Sequence, residues 1–257
     1  MPTRVEQIWG TAVGVDVRDD VPAAVVDDLF AWFGRVDALF STWRHDSEIV
    51  RIAERTLAIA SSSPETRAVL DRCHALSSAT DGAFDIAATA LLPAPHPPGW
   101  CALDPSAMVK GWALDRAAER LIAANARRFC MNAGGDVLVG QGPAPGEAWR
   151  VGIQHPLDKG RLAAVVAVTD VGVATSGRYE RGNHIVDPRT GSPATGLASV
   201  TVVAPELAVA DAYSTAILAL GIDGLDWLES HPGVHAMAIT DDRRVLTTAG
   251  FAGRRTE

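Results

Sequence analysis

The chain has 257 residues, 47% of them hydrophobic and 21% charged, a globular composition that excludes intrinsic disorder. Its 31 acidic residues against 23 Lys and Arg leave a net charge of -8, with no basic cluster of the kind a duplex nucleic-acid binder presents. Three scattered cysteines, Cys73, Cys101 and Cys130, match neither a zinc spacing nor a disulfide framework and read as buried thiols of a reducing compartment.

In chain order, residues 10–17 alternate as a strand, and residues 21–39 carry apolar positions at helical spacing with Asp19 or Asp20 as the expected N-cap. Residues 47–54 suit a short helix capped by Ser47. Pro64 opens a further helix that ends near Asp81-Gly82. The proline-rich stretch 93–99 is expected to be an irregular, rigid loop. A helix follows, with Ser106 as its expected cap and Leu114, Ala117, Ala118, Leu121 and Ile122 as its core-facing stripe. Beyond it the period shortens. FCMNAGGDVLVG reads as two strands joined at Gly134-Gly135, and WRVGIQ, LAAVVAVT, GVATSG and ASVTVVAP read as further strands. ELAVADAYSTAILAL is a helix closed by Gly221. A short helix, GLDWLESH, and a hairpin turning on Asp241-Asp242 complete the chain. Early helices followed by many short strands predict an α+β fold, mostly antiparallel, with residues 1–257 as one domain.

The opening stretch has no apolar core of signal-peptide length and no lipoprotein motif. No segment reaches the roughly 18 uninterrupted apolar residues of a membrane span. The expectation is a cytoplasmic protein. P-loop, dinucleotide-binding, zincin and nucleophile-elbow motifs are absent.

Four polar clusters remain. Thr80-Asp81-Gly82-Ala83-Phe84-Asp85 has the form of a helix C-terminal turn. Asp104 to Gly111 places Lys110 near a helix N-terminus, where backbone N–H groups favour an anion. Lys110 and Lys159 are the only lysines in an Arg-dominated chain, and a compact ammonium fits where a guanidinium does not. Asn132-Ala133-Gly134-Gly135-Asp136 is a turn that lets a ligand approach the backbone closely. The richest cluster runs from Ala174 to Gly191 and brings Ser176, Arg178, His184, Asp187, Arg189 and Thr190 into turns between strands. On the last long helix, Asp211 and Thr215 are i, i+4 neighbours, roughly opposite Tyr213, Ala216, Ile217 and Leu220. The pair therefore faces a cleft or solvent. Its hard oxygens suit Mg2+ or Ca2+, although a solvated Asp beside an ordinary Thr has the same spacing.

Taken together and in order, TDGAFDI, VKGWALDRA, MNAGGDV, ATSGRYER, HIVDPRTGSP and VADAYSTAILALG, preceded by LFSTWRHDSEIVRIA, resemble the FAD:protein FMN transferase (ApbE-like) family. The resemblance implies an α+β fold of mostly antiparallel sheet with packed helices and a cleft between two lobes. It implies a Mg2+-dependent enzyme with FAD as substrate. The enzyme would move FMN to a Thr or Ser hydroxyl of an acceptor flavoprotein and release AMP. By the same resemblance Asp211, Thr215 and the backbone carbonyl of Val109 hold the metal, and His184 lies close to the FAD phosphates. Asp187, Arg189 and Thr190 follow in that loop. Gly134, Gly135, Asp136, Ser176 and Gly177 lie near the nucleotide, as do Ser41, Asp81, Gly82 and Phe84. Lys110 and Arg189 are candidates for supporting the phosphates. His184, Asp211 and Lys110 are the candidate catalytic residues. The chain departs from the family pattern after Asp85, between Tyr179 and His184, and at Asp104 to Ala107, which touches the cleft rim. The same residues are compatible with an FAD pyrophosphatase that uses water as acceptor, or with a non-catalytic flavin-binding protein.

Overall fold

In the computed structural model, which describes residues 3–92, 98–178, 185–252 and 255–256, strands β1 (Thr3–Ile8) and β2 (Thr11–Val17) form an antiparallel hairpin. Its two-residue turn has Trp9 at φ 57° and Gly10 at φ 70°, the left-handed pair that matches the twist of flanking strands. Helices α1 (Ala23–Phe40), α2 (Glu48–Ala53), α3 (Pro64–Ala79) and α4 (Ser106–Ala123) come next. Strands β3 (Phe129–Ala133), β4 (Asp136–Val139), β5 (Trp149–His155), β6 (Asp158–Val168) and β7 (Val171–Gly177) follow. After the short pair β8 (Val186–Asp187) and β9 (Ser192–Pro193) the chain continues into β10 (Leu197–Ala204), α5 (Leu207–Leu220) and α6 (Asp223–Glu229). It finishes with β11 (His235–Thr240), β12 (Val245–Thr247), α7 (Ala249–Ala252) and β13 (Arg255–Thr256).

Eight strands form one sheet in the order β1-β2-β3-β4-β7-β10-β11-β12, with every neighbouring pair antiparallel. One face carries the helices. Val13 and Val15 of β2, Leu138 of β4 and Val200 and Val202 of β10 meet α1, α4 and α5 there. The residues between them point the other way: Val137, Val139, Val203, Met237 and Ile239 pack against β5, β6 and Phe251. The second face is thus covered by the smaller sheet β13-β6-β5. Strand β10 is buried along its whole length because both faces are covered, and it accordingly reads LASVTVVA rather than alternating with charge.

The expected helices and strands form with small shifts, and β1 is an addition. That edge strand alternates charged and apolar residues, and Val5 is 62% exposed. Two expected caps are not used. α1 starts after Pro22, while the Asp19 carboxylate accepts from the backbone N–H of Arg127 and Arg128 at 2.7 and 2.8 Å and anchors the entry to β3; Asp20 is exposed. Ser106 is the first residue of α4, its own N–H bound by Asp104 Oδ1 at 3.0 Å. The Ser47 and Ser63 hydroxyls do cap α2 and α3. Residues 93–97 of the proline-rich stretch lie outside the described residues.

The long helix α5 is buried on nearly all sides between α4 and strands β7 and β10. Two glycines make room for its first turn. A Cβ on Gly111 would lie 2.6 Å from the backbone of Leu207 and Ala208, and one on Gly172 would lie 2.5 Å from Leu207 Cα. The Asp115 carboxylate, one turn after Gly111, accepts from the N–H groups of Leu207 and Ala208 at 2.9 Å each. It supplies from α4 the cap that Glu206 does not provide locally.

Candidate active site

A cleft of about 400 Å³ opens where the ends of β7 and the β1–β2 and β3–β4 turns meet the start of α4 and the middle of α5. At its floor Lys110 reaches from α4 to two carboxylates: its Nζ binds Asp136 Oδ2 at the start of β4 and, at 3.2 Å, Asp211 Oδ2 from α5. The three residues are 26 and 101 positions apart in the chain, so only folding joins them. Both acid side chains are 6% exposed. Burial opposes the charge on Lys110, but the two carboxylates outweigh it and raise its pKa above the ordinary lysine range. Burial pushes the Asp211 carboxyl up, with Lys110 pulling the other way and Asp136 adding to the rise.

Beside this triad a hydroxyl network ties β7 to α5. Ser176 Oγ lies 2.8 Å from Ser214 Oγ and 2.9 Å from Thr215 Oγ1, and Ser214 Oγ donates to the Asp211 carbonyl at 2.9 Å. Asp136 Oδ1 also accepts from the Thr175 N–H at 3.3 Å. Asp211 and Thr215 thus share the cleft as their spacing implies, but Asp211 is nearly buried, only 4% exposed. The apolar-stripe argument placed the pair correctly while understating burial, because α5 is enclosed by protein on the polar side as well.

Lys110, Gly134, Asp136, Ser176, Gly177, Asp211 and Thr215 all line the cleft. Other expected positions do not. Phe84 is buried in the helix-side core, and its neighbours Ala83 and Asp85 take the cleft wall. Asp81, at φ 49°, and Gly82 form the turn that closes α3, with Gly82 N–H bound to the Ser77 carbonyl at 2.8 Å. Ser41 ends α1, and Val109 turns its side chain into the core. Gly135 stands exposed at the β3–β4 turn, outside the cleft wall. His184 lies outside the described residues.

Arg189 is paired, its side chain 41% exposed. It forms a two-pronged pair with Asp187, at 2.9 and 2.8 Å, and that guanidinium holds the Asp187 carboxyl below the usual range. Thr190 Oγ1 accepts from the Ser192 N–H at 3.2 Å and shapes the β8–β9 turn. Arg178 is likewise committed, binding Asp241 and the carbonyls of Leu197 and Ala194. Among the described residues of the polar loop cluster, Arg178 and Arg189 thus each pair with a carboxylate.

Sequence reasoning missed Trp9, Gly10 and Thr11 of the β1–β2 turn, which form part of the cleft wall. Trp9 packs edge-on against Phe33 with ring centres 5.4 Å apart, and its indole N–H is buried without a partner among the described residues. An aromatic followed by glycine between two alternating runs was the available signal for a hairpin tip. The thiols take no part. Burial pushes Cys73 up to about 12 and Cys130 up to about 11, so neither forms a thiolate readily.

The donors at the floor are carboxylate and hydroxyl oxygens, which suit a hard cation. No group of three His, Cys, Asp or Glu side chains converges among the described residues. Such a site would resemble those where Mg2+ takes one or two protein carboxylates and completes its shell with water and phosphate.

Comparison with known proteins gives a consistent picture. The ApbE family matches residues 9–96 and 94–238. A Rhodobacter capsulatus protein named FAD:protein FMN transferase is 37% identical over 161 residues, covering 59% of this chain and 31% of that protein. One of the same name from Treponema pallidum is 36% identical over 171 residues, covering 59% of this chain and 47% of its own. The matched stretches thus span about a third to a half of these relatives. Among solved structures, the ApbE protein of Thermotoga maritima superposes with a TM-score of 0.86 at 24% identity, covering 100% of this chain and 99% of that one. The apo flavinyl transferase ApbE of Pseudomonas stutzeri gives 0.82 at 24% identity, covering 99% and 97%.

Proposed function

The chain belongs to the ApbE family, and we propose that it is a flavinyltransferase that moves FMN from FAD to a Thr or Ser hydroxyl of an acceptor flavoprotein and releases AMP. The observation that carries this reading is the floor of the cleft, where Asp136, Lys110, Asp211, Thr215 and Ser176 converge from four separate elements. The names borne by the relatives support the reaction class.

In this reading Asp211 and Thr215, with the Val109 carbonyl, would hold Mg2+, which would offset charge on the diphosphate. Lys110 orients the phosphates by charge, from a position fixed by Asp136. Gly134 and Gly177, which carry no side chain, let the nucleotide lie against the ends of the sheet. The acceptor oxygen bonds to the FMN-side phosphorus as the bond from that phosphorus to the bridging oxygen breaks. AMP leaves with the electron pair, and the hydroxyl proton passes to a base, for which His184 is our candidate.

The test is incubation with FAD, Mg2+ and a flavoprotein substrate of the family. A mass gain of one FMN on the acceptor, with equal AMP, is the expected result. Free FMN and AMP in the absence of acceptor, with no mass gain in its presence, would identify a pyrophosphatase instead. Bound but intact FAD would identify a flavin-binding protein.

A further inference from the structure

Lys110 joins two nearly buried carboxylates, and the local charge of the three groups is one negative. Among the described residues Lys110 is the side chain that donates to the Asp211 carboxylate, whereas Asp136 is also held by the Thr175 N–H. The ammonium thus stands at the position a cation bound to Asp211 needs. A divalent cation there would meet Lys110 as a like charge at short range, in a setting where water screens poorly. Each cation would weaken the other's hold on the Asp211 carboxylate.

We propose that Lys110 is the resident cation of Asp211: it neutralises that carboxylate in the metal-free protein and gives it up to a divalent cation, swinging on its flexible stem while still tied to Asp136. The inference rests on the reading that Asp211 takes a divalent cation. It goes further in making Lys110 a competitor of the metal. Removing one partner from a buried ion cluster leaves charge uncompensated and is destabilising. Lys110 therefore keeps the cleft folded before metal arrives, and the released ammonium becomes available to a phosphate.

The experiment is calorimetric titration of Mg2+ alone, without FAD, into the wild type, Lys110→Gln and Lys110→Arg. Lys110→Gln should bind Mg2+ at least tenfold tighter than wild type, and Mg2+ should raise its melting temperature more. Lys110→Arg keeps the competing charge and should not gain affinity. An unchanged or weaker Mg2+ affinity in Lys110→Gln overturns the proposal. Should that variant fail to fold without metal, Asp136→Asn is compared with the double variant Lys110→Gln/Asp136→Asn, which carries less unpaired charge. The double variant must bind Mg2+ tighter than the single one, and equal affinity overturns the proposal. Failure of the wild type to cleave FAD would overturn the transfer reading separately, since these titrations use the metal alone.

Discussion

At the scale of single residues, charge placement decides what each substitution does. Asp211→Ala removes one carboxylate but leaves Lys110 paired with Asp136, so no buried charge is stranded. The variant should keep its melting temperature within a few degrees and lose FAD cleavage by about two to three orders of magnitude. Parallel melting curves and AMP release measure the two effects. Asp115 lies outside the cleft and has the opposite character. Burial pushes its carboxyl up to about 6, against two backbone N–H groups that favour the charged form. An unfolded Asp titrates near 4, so the folded protein takes up a proton that the unfolded chain does not hold between about pH 4 and 6. The stability this residue contributes is complete below about pH 4 and is lost as pH rises through about 6. Asp115→Asn does not titrate, so the stability of wild type relative to the variant should fall by roughly 2 kcal/mol from pH 4 to 7. Urea unfolding at both pH values checks the sign.

At the scale of elements, α5 depends on its seat. Gly111, Gly172 and Asp115 fix its first turn, and Asp211 follows one turn later. The motif KGWALD is thus partly structural: its Gly and Asp, four positions apart, present one face of α4 to α5, while its Lys turns to the cleft. Gly111→Ala would drive a methyl group into the backbone of α5 and should destabilise by about 1–3 kcal/mol. Because α5 must shift to admit it, FAD turnover should also fall at temperatures where the variant is fully folded. Wild-type turnover in the folded variant would show that the seat has no influence on the cleft.

For the whole molecule, buried apolar packing is the main source of stability. Two cores cover both faces of the eight-stranded sheet, and Lys110 compensates the cleft acids. Treatment with EDTA should therefore stop AMP release while moving the melting temperature by only a few degrees, unlike a structural zinc protein that unfolds when stripped. Melting curves and AMP assays on the same chelated sample measure both. A collapse of the melting temperature would mean that metal is part of the core. No helix among the described residues is long and apolar enough to cross a membrane.

The elements that carry local signals were legible in the chain: Ser63-Pro64 opens α3, Ser47 caps α2, Gly134-Gly135 turns β3 into β4, and Gly221, at φ 70°, ends α5. The ordered motifs likewise pointed to the family, and Asp211 with Thr215 to a shared helix face. Tertiary structure alone decided the partners. Asp19, a plausible cap by position, holds the entry to β3, 109 residues away. Lys110, suited by sequence to an anion, lies between Asp136 and Asp211, and Arg178 and Arg189 pair with Asp241 and Asp187. The reason is physical. Caps, turns and periodic stripes depend on neighbours within a few residues and so leave a pattern in the chain. A buried charge instead takes whichever partner the topology brings within about 3 Å, and residues far apart in sequence share no period that records the meeting.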